Sequence, residues 1–233
     1  MNKFLSAYQP QDEEGPIYER WEKSGFFNPD NLPASPASPS GRSADGPGDR
    51  PETFTIIMPP PNANGSLHAG HALFLTLEDI MIRFERMRGK RALWVPGADH
   101  AGFETQVVYE KKLEKEGRSR FGMDPKMLYD EIYNFTIENK KNMETQVRAL
   151  GASCDWSRMR FTLDSDIVAE VQKTFIEMFD DGLIYRGQKT INWCPKHQTS
   201  LSDVETVNVE EKTPFYYFKY GPFEIGTVRP ETK

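Results

Sequence analysis

Residues 53–71, TFTIIMPPPNANGSLHAGH, decide the reading of this chain. The first six, TFTIIM, are short, β-branched and apolar, and they stop at three prolines, as a buried strand does. Prolines forbid a helix through 59–61, and a loop of small and polar residues follows. The helical pattern then opens at LHAGHALFLTLEDIMIRFERMRG (67–89), where Leu73, Leu77, Ile80, Phe84 and Met87 recur at three and four. Gly89 ends it, flanked by Arg88 and Lys90, which suit a helix C-terminus. ALWVPG (92–97) is a second apolar strand stopped by Pro-Gly. Strand, helix, strand is a βαβ unit, so the fold class is α/β with a parallel sheet and a right-handed crossover.

Such a sheet binds ligands beyond the carboxyl ends of its strands, where loops enter helix N-termini. Two of the four histidines, His68 and His71, stand there at i and i+3. Free backbone N–H groups and the positive helix end attract phosphate. Gly70 between them lets a flat ring or ribose approach the backbone, and Gly65 is expected to supply the turn before it. Neither GxGxxG nor GxxxxGK[ST] occurs, so phosphate binding here rests on imidazole donors. Two histidines at this spacing on an arbitrary helix are more often incidental surface residues. The strand and the proline lead-in favour the functional reading.

The rest of the chain extends this plan. GPIYERWEKSGFF (15–27) predicts a short amphipathic helix ending at Gly25, a docking arm over residues 1–28. Residues 29–52 are rich in Pro, Ser, Ala and Gly and read as a flexible linker. FETQVVYEKKLEKEG starts another helix. Residues 124–150 form a longer one with Asp124 as N-cap and Pro125 in the first turn. Its apolar stripe is Leu128, Ile132, Phe135, Met143, Val147 and Leu150. A further helix covers 164–181 with Ile167, Val171, Phe175 and Met178 inward. TPFYYFKYGPFEIGTVRPETK predicts a β-hairpin around Tyr220-Gly221-Pro222, its aromatic run 215–218 packed as a strand.

Composition narrows the function classes. The net charge is −6, a poor match for a broad basic nucleic-acid face. Two cysteines, Cys154 and Cys194, give no disulfide framework, and no apolar run approaches the roughly 18 residues of a membrane span. The expected setting is a reducing cytoplasm, without membrane contact. Nothing in the sequence sets the oligomeric state, and a monomer is the default expectation.

The motifs carry a family resemblance. His68-Ala69-Gly70-His71, preceded by Pro59-Pro60-Pro61-Asn62, resembles the HIGH motif of class I aminoacyl-tRNA synthetases. WVPGADHAGFETQ (94–106), LGASCDWSRMRFTLD (150–164), GLIYRGQKTINWCPKHQTSLSDVE (182–205) and TVRPET (227–232) resemble the valyl branch, which is close to the isoleucyl and leucyl enzymes. The likeness runs from about Tyr18 to the end, outside 29–51, in the family's order.

The resemblance implies valine–tRNA ligation from valine, ATP and the valine tRNA, with Mg2+ accompanying ATP. It implies the first half of a Rossmann-like (HUP-type) nucleotide-binding fold over 53–190 with a helical connector. A zinc-knuckle-like connector follows at 191–212, and the start of a β-rich editing insertion at 213–233. His68 and His71 would be catalytic, touching ATP phosphates in the transition state. Asn64, Gly65, His68, Gly70 and His71 would bind ATP, with Gly70 under the adenine. Pro60, Asn62 and Asp99 would bind the amino acid, Asp99 through its ammonium group. Asp99 read alone is also a favoured N-cap residue. His100 is read as a packing or supporting residue.

Cys194 and His197 have the C-x-x-H spacing of half a zinc knuckle, and a structural zinc needs four ligands. Thr227 and Arg229 would open the editing site, which removes isosteric mischarged amino acids. Departures exist: the branch has threonine at Asn64 and small or apolar residues at Phe103 and Glu104. The lysine-rich KMSKS loop does not occur in these residues. The expectation is therefore an incomplete enzyme, inactive alone. The alternatives are an isoleucyl or leucyl relative, or a non-catalytic synthetase-like module that binds tRNA or protein.

Overall fold

In a computed structural model the described residues are 8–32 and 52–232. They fall into two compact units that part between Glu177 and Met178. Most of the expected linker and Met1–Ala7 lie outside the described residues.

The first unit is built on the expected βαβ motif. Strand β1 (Thr53–Ile57) runs parallel to β2 (Arg91–Val95), with Ile57 opposite Val95, and helix α2 (Ala69–Met87) crosses between them. Pro96 interrupts β2, and the chain resumes as β3 (Gly97–Ala98), parallel to β4 (Arg160–Phe161). Carbonyl direction explains how one strand serves two neighbours. Val95 O accepts from Met58 N, while Trp94, Pro96 and Ala98 accept from the N–H groups of Asp155, Arg160 and Thr162. Residues 91–98 thus lie between β1 and the 155–162 segment.

Around this strand, α1 (Pro10–Ser24) ends at Gly25 in the left-handed region, as predicted. It docks through Tyr18, whose hydroxyl donates to Ala152 O at 2.8 Å and accepts from Trp156 Nε1 at 2.7 Å. Ile17 and Trp21 stay partly exposed. Pro29 is buried in a one-turn 3-10 segment, and Arg91 holds its carbonyl. Residues 29–32, expected as the start of the linker, are therefore held against the first unit. Helix α3 (Gly102–Lys115) follows β3, and α4 (Pro125–Ala149) starts on Asp124, which accepts from the N–H groups of Lys126 and Met127. Helix α5 (Ser165–Asp180) crosses the unit boundary.

The core joins Met58, Leu75, Ile82, Ala92, Trp94, Met143, Val147, Cys154 and Phe161. Burial departs from the sequence pattern on three helices. On α2 the predicted stripe Leu73, Leu77, Ile80, Phe84, Met87 is exposed, and Leu75 and Ile82 pack inward. Both faces are apolar, so periodicity alone did not choose between them. On α5, Val171, Phe175 and Met178 are exposed, because no described element covers them. On α4, Met143 and Val147 are buried as expected, while Leu150 is half exposed.

The second unit holds two hairpins. Strands β5 (Asn192–Cys194) and β6 (Thr199–Leu201) pair antiparallel, as do β7 (Tyr216–Tyr220) and β8 (Phe223–Thr227). Gly221 takes φ 61° and is followed by Pro222, the two-residue turn the sequence predicts. Phe215, Tyr216 and Tyr217 are about half exposed or more, so the aromatic run is not a packed strand.

Candidate active site

Histidine chemistry at the start of α2 follows from its capping. His68 is the N-cap, with extended backbone, and its Nδ1 accepts Gly70 N–H at 3.1 Å. His71 Nδ1 reaches back to accept His68 N–H at 3.2 Å. The two imidazoles thus form a reciprocal capping box, the role usually taken by Ser or Thr with Glu. Because both Nδ1 atoms accept, the proton of each neutral ring sits on Nε2. Each ring therefore offers one N–H donor at a helix N-terminus, whose partial positive charge adds to it.

The rings lie 3.9 Å apart between centroids. Burial, and then the neighbouring His68, push the His71 pKa below its ordinary 6.5. At neutral pH His71 is an uncharged donor. Gly70 has a local reason to be glycine: a Cβ there would stand 2.9 Å from the His68 ring. Gly65 does not have the expected role. Its φ is not left-handed and a Cβ would meet nothing within 4 Å.

The proline loop and Asp99 are held side by side. Pairing between the two segments resumes past the strand ends, with Asp99 N–H on Pro61 O at 2.9 Å and Ala63 N–H on Asp99 O at 2.7 Å. This bridge sets Asn62 opposite Asp99. Gly97 lets the strands pass, since a Cβ there would lie 3.3 Å from Pro60 Cβ. Leu67 N–H donates to Gln146 Oε1, tying the loop to α4. Pro60, Asn62 and Asp99 are thereby gathered at one end of adjacent parallel strands. Asn64, Gly65, His68, Gly70 and His71 follow on the same loop and helix start.

Asp99 is not the N-cap of α3, which is Ala101, but its side chain holds the turn before that helix. Its Oδ1 accepts Ala101 N–H at 3.0 Å and the Thr162 hydroxyl at 3.2 Å. Ala101 stands at φ 57°, an unusual conformation for a residue with a Cβ. Thr162 Oγ1 also accepts the His100 backbone N–H at 2.9 Å and sits against His100 Nδ1. A hydroxyl has one donor and two acceptor sites. With the donor on Asp99, both His100 groups must be N–H donors, so His100 carries its proton on Nδ1. His100 is thus held by Thr162, which stands inside the 150–164 motif but was given no role there. Among the described residues Asp99 Oδ2 has no hydrogen-bond partner.

The other predicted residues, Cys194, His197, Thr227 and Arg229, belong to the second unit. Cys194 Sγ lies 3.2 Å from His197 Nδ1 and accepts His197 N–H, a closed knuckle with Gln198 in the left-handed region. No third His, Cys, Asp or Glu joins them among the described residues, so the donor set does not fit a four-ligand zinc. Thr227 Oγ1 accepts Arg229 N–H at 3.0 Å, a turn contact. An open cleft of about 450 Å3 lies between α4 and α5, lined by Tyr129, Tyr133, Leu163 and Val168 among others. It contains none of the expected residues, and its size alone assigns it no chemistry.

A family model described as tRNA synthetases class I (I, L, M and V) matches residues 16–220. The chain belongs to this class I synthetase family. Among curated class I relatives, valine–tRNA ligase of Psychrobacter arcticus is 39% identical over 245 residues, covering 100% of this chain and 23% of that enzyme. Valine–tRNA ligase of Pseudothermotoga lettingae is 42% identical, covering 97% and 25%. That of Thermotoga maritima is 38% identical, covering 100% and 26%. The chain thus spans about a quarter of the length of the curated relatives it matches. Among solved structures, the ternary complex of Agrobacterium radiobacter K84 agnB2 LeuRS, tRNA and LeuAMS aligns with TM-score 0.63 and 22% identity. It covers 86% of this chain and 22% of that one, and it supports the fold of this synthetase region. No described helix is long and apolar enough to cross a membrane.

Proposed function

We propose that this chain carries the histidine half of the adenylation site of a valine–tRNA ligase. Valine and ATP would form valyl-adenylate and pyrophosphate, and the valyl group would pass to the valine tRNA. The carrying observation is the histidine capping box, which fixes two Nε2–H donors at the N-terminus of the helix that follows the Asn62–Asp99 bridge in the chain. Donors preset toward developing phosphate charge lower a barrier by about 3 kcal/mol each. Asp99 Oδ2 would take the ammonium of valine, with Pro60 and Asn62 at the pocket edge. Mg2+ would arrive bound to the triphosphate, since it is held largely by substrate phosphates. Relatives at about 40% identity favour valine over isoleucine or leucine.

In this reading residues 53–190 form the first half of a Rossmann-like fold, and 213–233 begin an editing insertion containing Thr227 and Arg229. The setting is cytoplasmic. The KMSKS lysines are not among these residues, so the reading assigns them half of the phosphate site. ATP titration followed by amide NMR tests it. Signals of Ala69, Gly70 and His71 should shift, and the shifts should vanish in the His68→Ala, His71→Ala double variant. Shifts confined to residues away from the start of α2 would refute the assignment. The chain alone should catalyse no valine-dependent pyrophosphate exchange.

A further inference from the structure

The geometry points to Glu104 as a positioning residue that fixes Asn62 as a hydrogen-bond acceptor for the substrate ammonium. The inference rests on the amino-acid site proposed above. Asn62 Nδ2 donates to Glu104 Oε2 at 2.8 Å, across 42 residues of sequence. An ionised carboxylate only accepts hydrogen bonds, so the amide must turn its NH2 toward Glu104. Its carbonyl oxygen then faces elsewhere. An ammonium group only donates, so it gains nothing from an amide NH2 and needs that carbonyl. The bridge sets Asn62 beside Asp99, whose Oδ2 has no partner among the described residues, so the two residues offer neighbouring acceptors.

Glu104 is well placed for this task. It lies in the first turn of α3, where the helix end favours a carboxylate. Ala101, in its left-handed conformation, links Asp99 to that turn, and Glu104 N–H donates to Ala101 O at 3.0 Å. The same short segment therefore carries both the acid of the site and the residue that orients its amide neighbour. Without Glu104, the exposed amide rotates freely and presents the wrong group about half the time.

The test is millimolar titration of the full chain with L-valine, read on the amide signals of Asn62 and Asp99. A parallel titration uses 2-hydroxy-3-methylbutanoate, whose hydroxyl both donates and accepts and is indifferent to amide orientation. Glu104→Ala should weaken valine about fivefold, the scale of one hydrogen bond, and leave the hydroxy acid unchanged. In an Asn62→Ala background Glu104→Ala should cost nothing further, whereas simple charge attraction by Glu104 would persist there, which separates the two. Equal weakening of both ligands, or none in Glu104→Ala, overturns the inference while the valine site stands. No valine binding by the parent chain overturns the site itself and the inference with it.

Discussion

Helix α2 presents similar apolar side chains on two sides. Leu75 and Ile82 are 1% and 0% exposed, whereas Leu77 and Ile80, a few residues away, are 52% and 57% exposed. At about 100° per residue, His68, His71, Leu75, Asp79, Ile82 and Arg86 fall on one side and Leu73, Leu77, Ile80, Phe84 and Met87 on the other. The inner side differs in its polar residues. Glu78 accepts from Trp94 Nε1, Asp79 accepts both Ser153 N–H and its hydroxyl, and Arg86 donates to Ser153. Burial keeps the Glu78 pKa raised despite that bond. These anchors clamp α2 to β2 through Trp94 and to the 151–155 loop through Ser153. Polar pairing across the interface marks the packed face better than apolar periodicity does.

The sharpest test of this contrast uses one substitution on both sides. Leu75→Ala should cost about 2–5 kcal/mol in urea unfolding, through lost burial and a cavity. Leu77→Ala should stay within about 0.5 kcal/mol. Equal losses would break the comparison. Next, Asp79→Ala leaves two Ser153 donors and Arg83 without their acceptor and should cost about 2–3 kcal/mol in thermal melts. Removing the Tyr18 hydroxyl is milder: Tyr18→Phe breaks its bonds to both Ala152 O and Trp156 Nε1 and should cost about 1–2 kcal/mol.

Gly70→Ala should displace the His68 ring from its cap, costing about 1 kcal/mol and moving the His68 Nδ1 resonance. The smallest effect is with pH. The folded pKa of His71 lies below its ordinary 6.5, so the unfolded chain binds more protons. His71 thus contributes stability that is present above 6.5 and lost as pH falls through the lower folded value. Histidine NMR titration should place its midpoint below 6.5, and His71→Gln should flatten the stability profile on acidification.

The βαβ motif, the caps at Gly25 and Asp124 and the hairpin at Gly221 were legible because each rests on local backbone chemistry. So was the histidine pair, since its strand and proline lead-in stand next to it in sequence. Cys194 and His197 were legible as neighbours, but the number of their partners depends on residues far away in the chain.

By itself the sequence determined which segments are helix and strand and which residues carry chemistry, because those depend on neighbours within a few positions. Only the tertiary structure decided which side of α2 is buried, how Tyr18 and Thr162 join distant loops, and that Glu104 meets Asn62. Each of these depends on contacts between residues dozens of positions apart, for which neither periodicity nor propensity carries a signal.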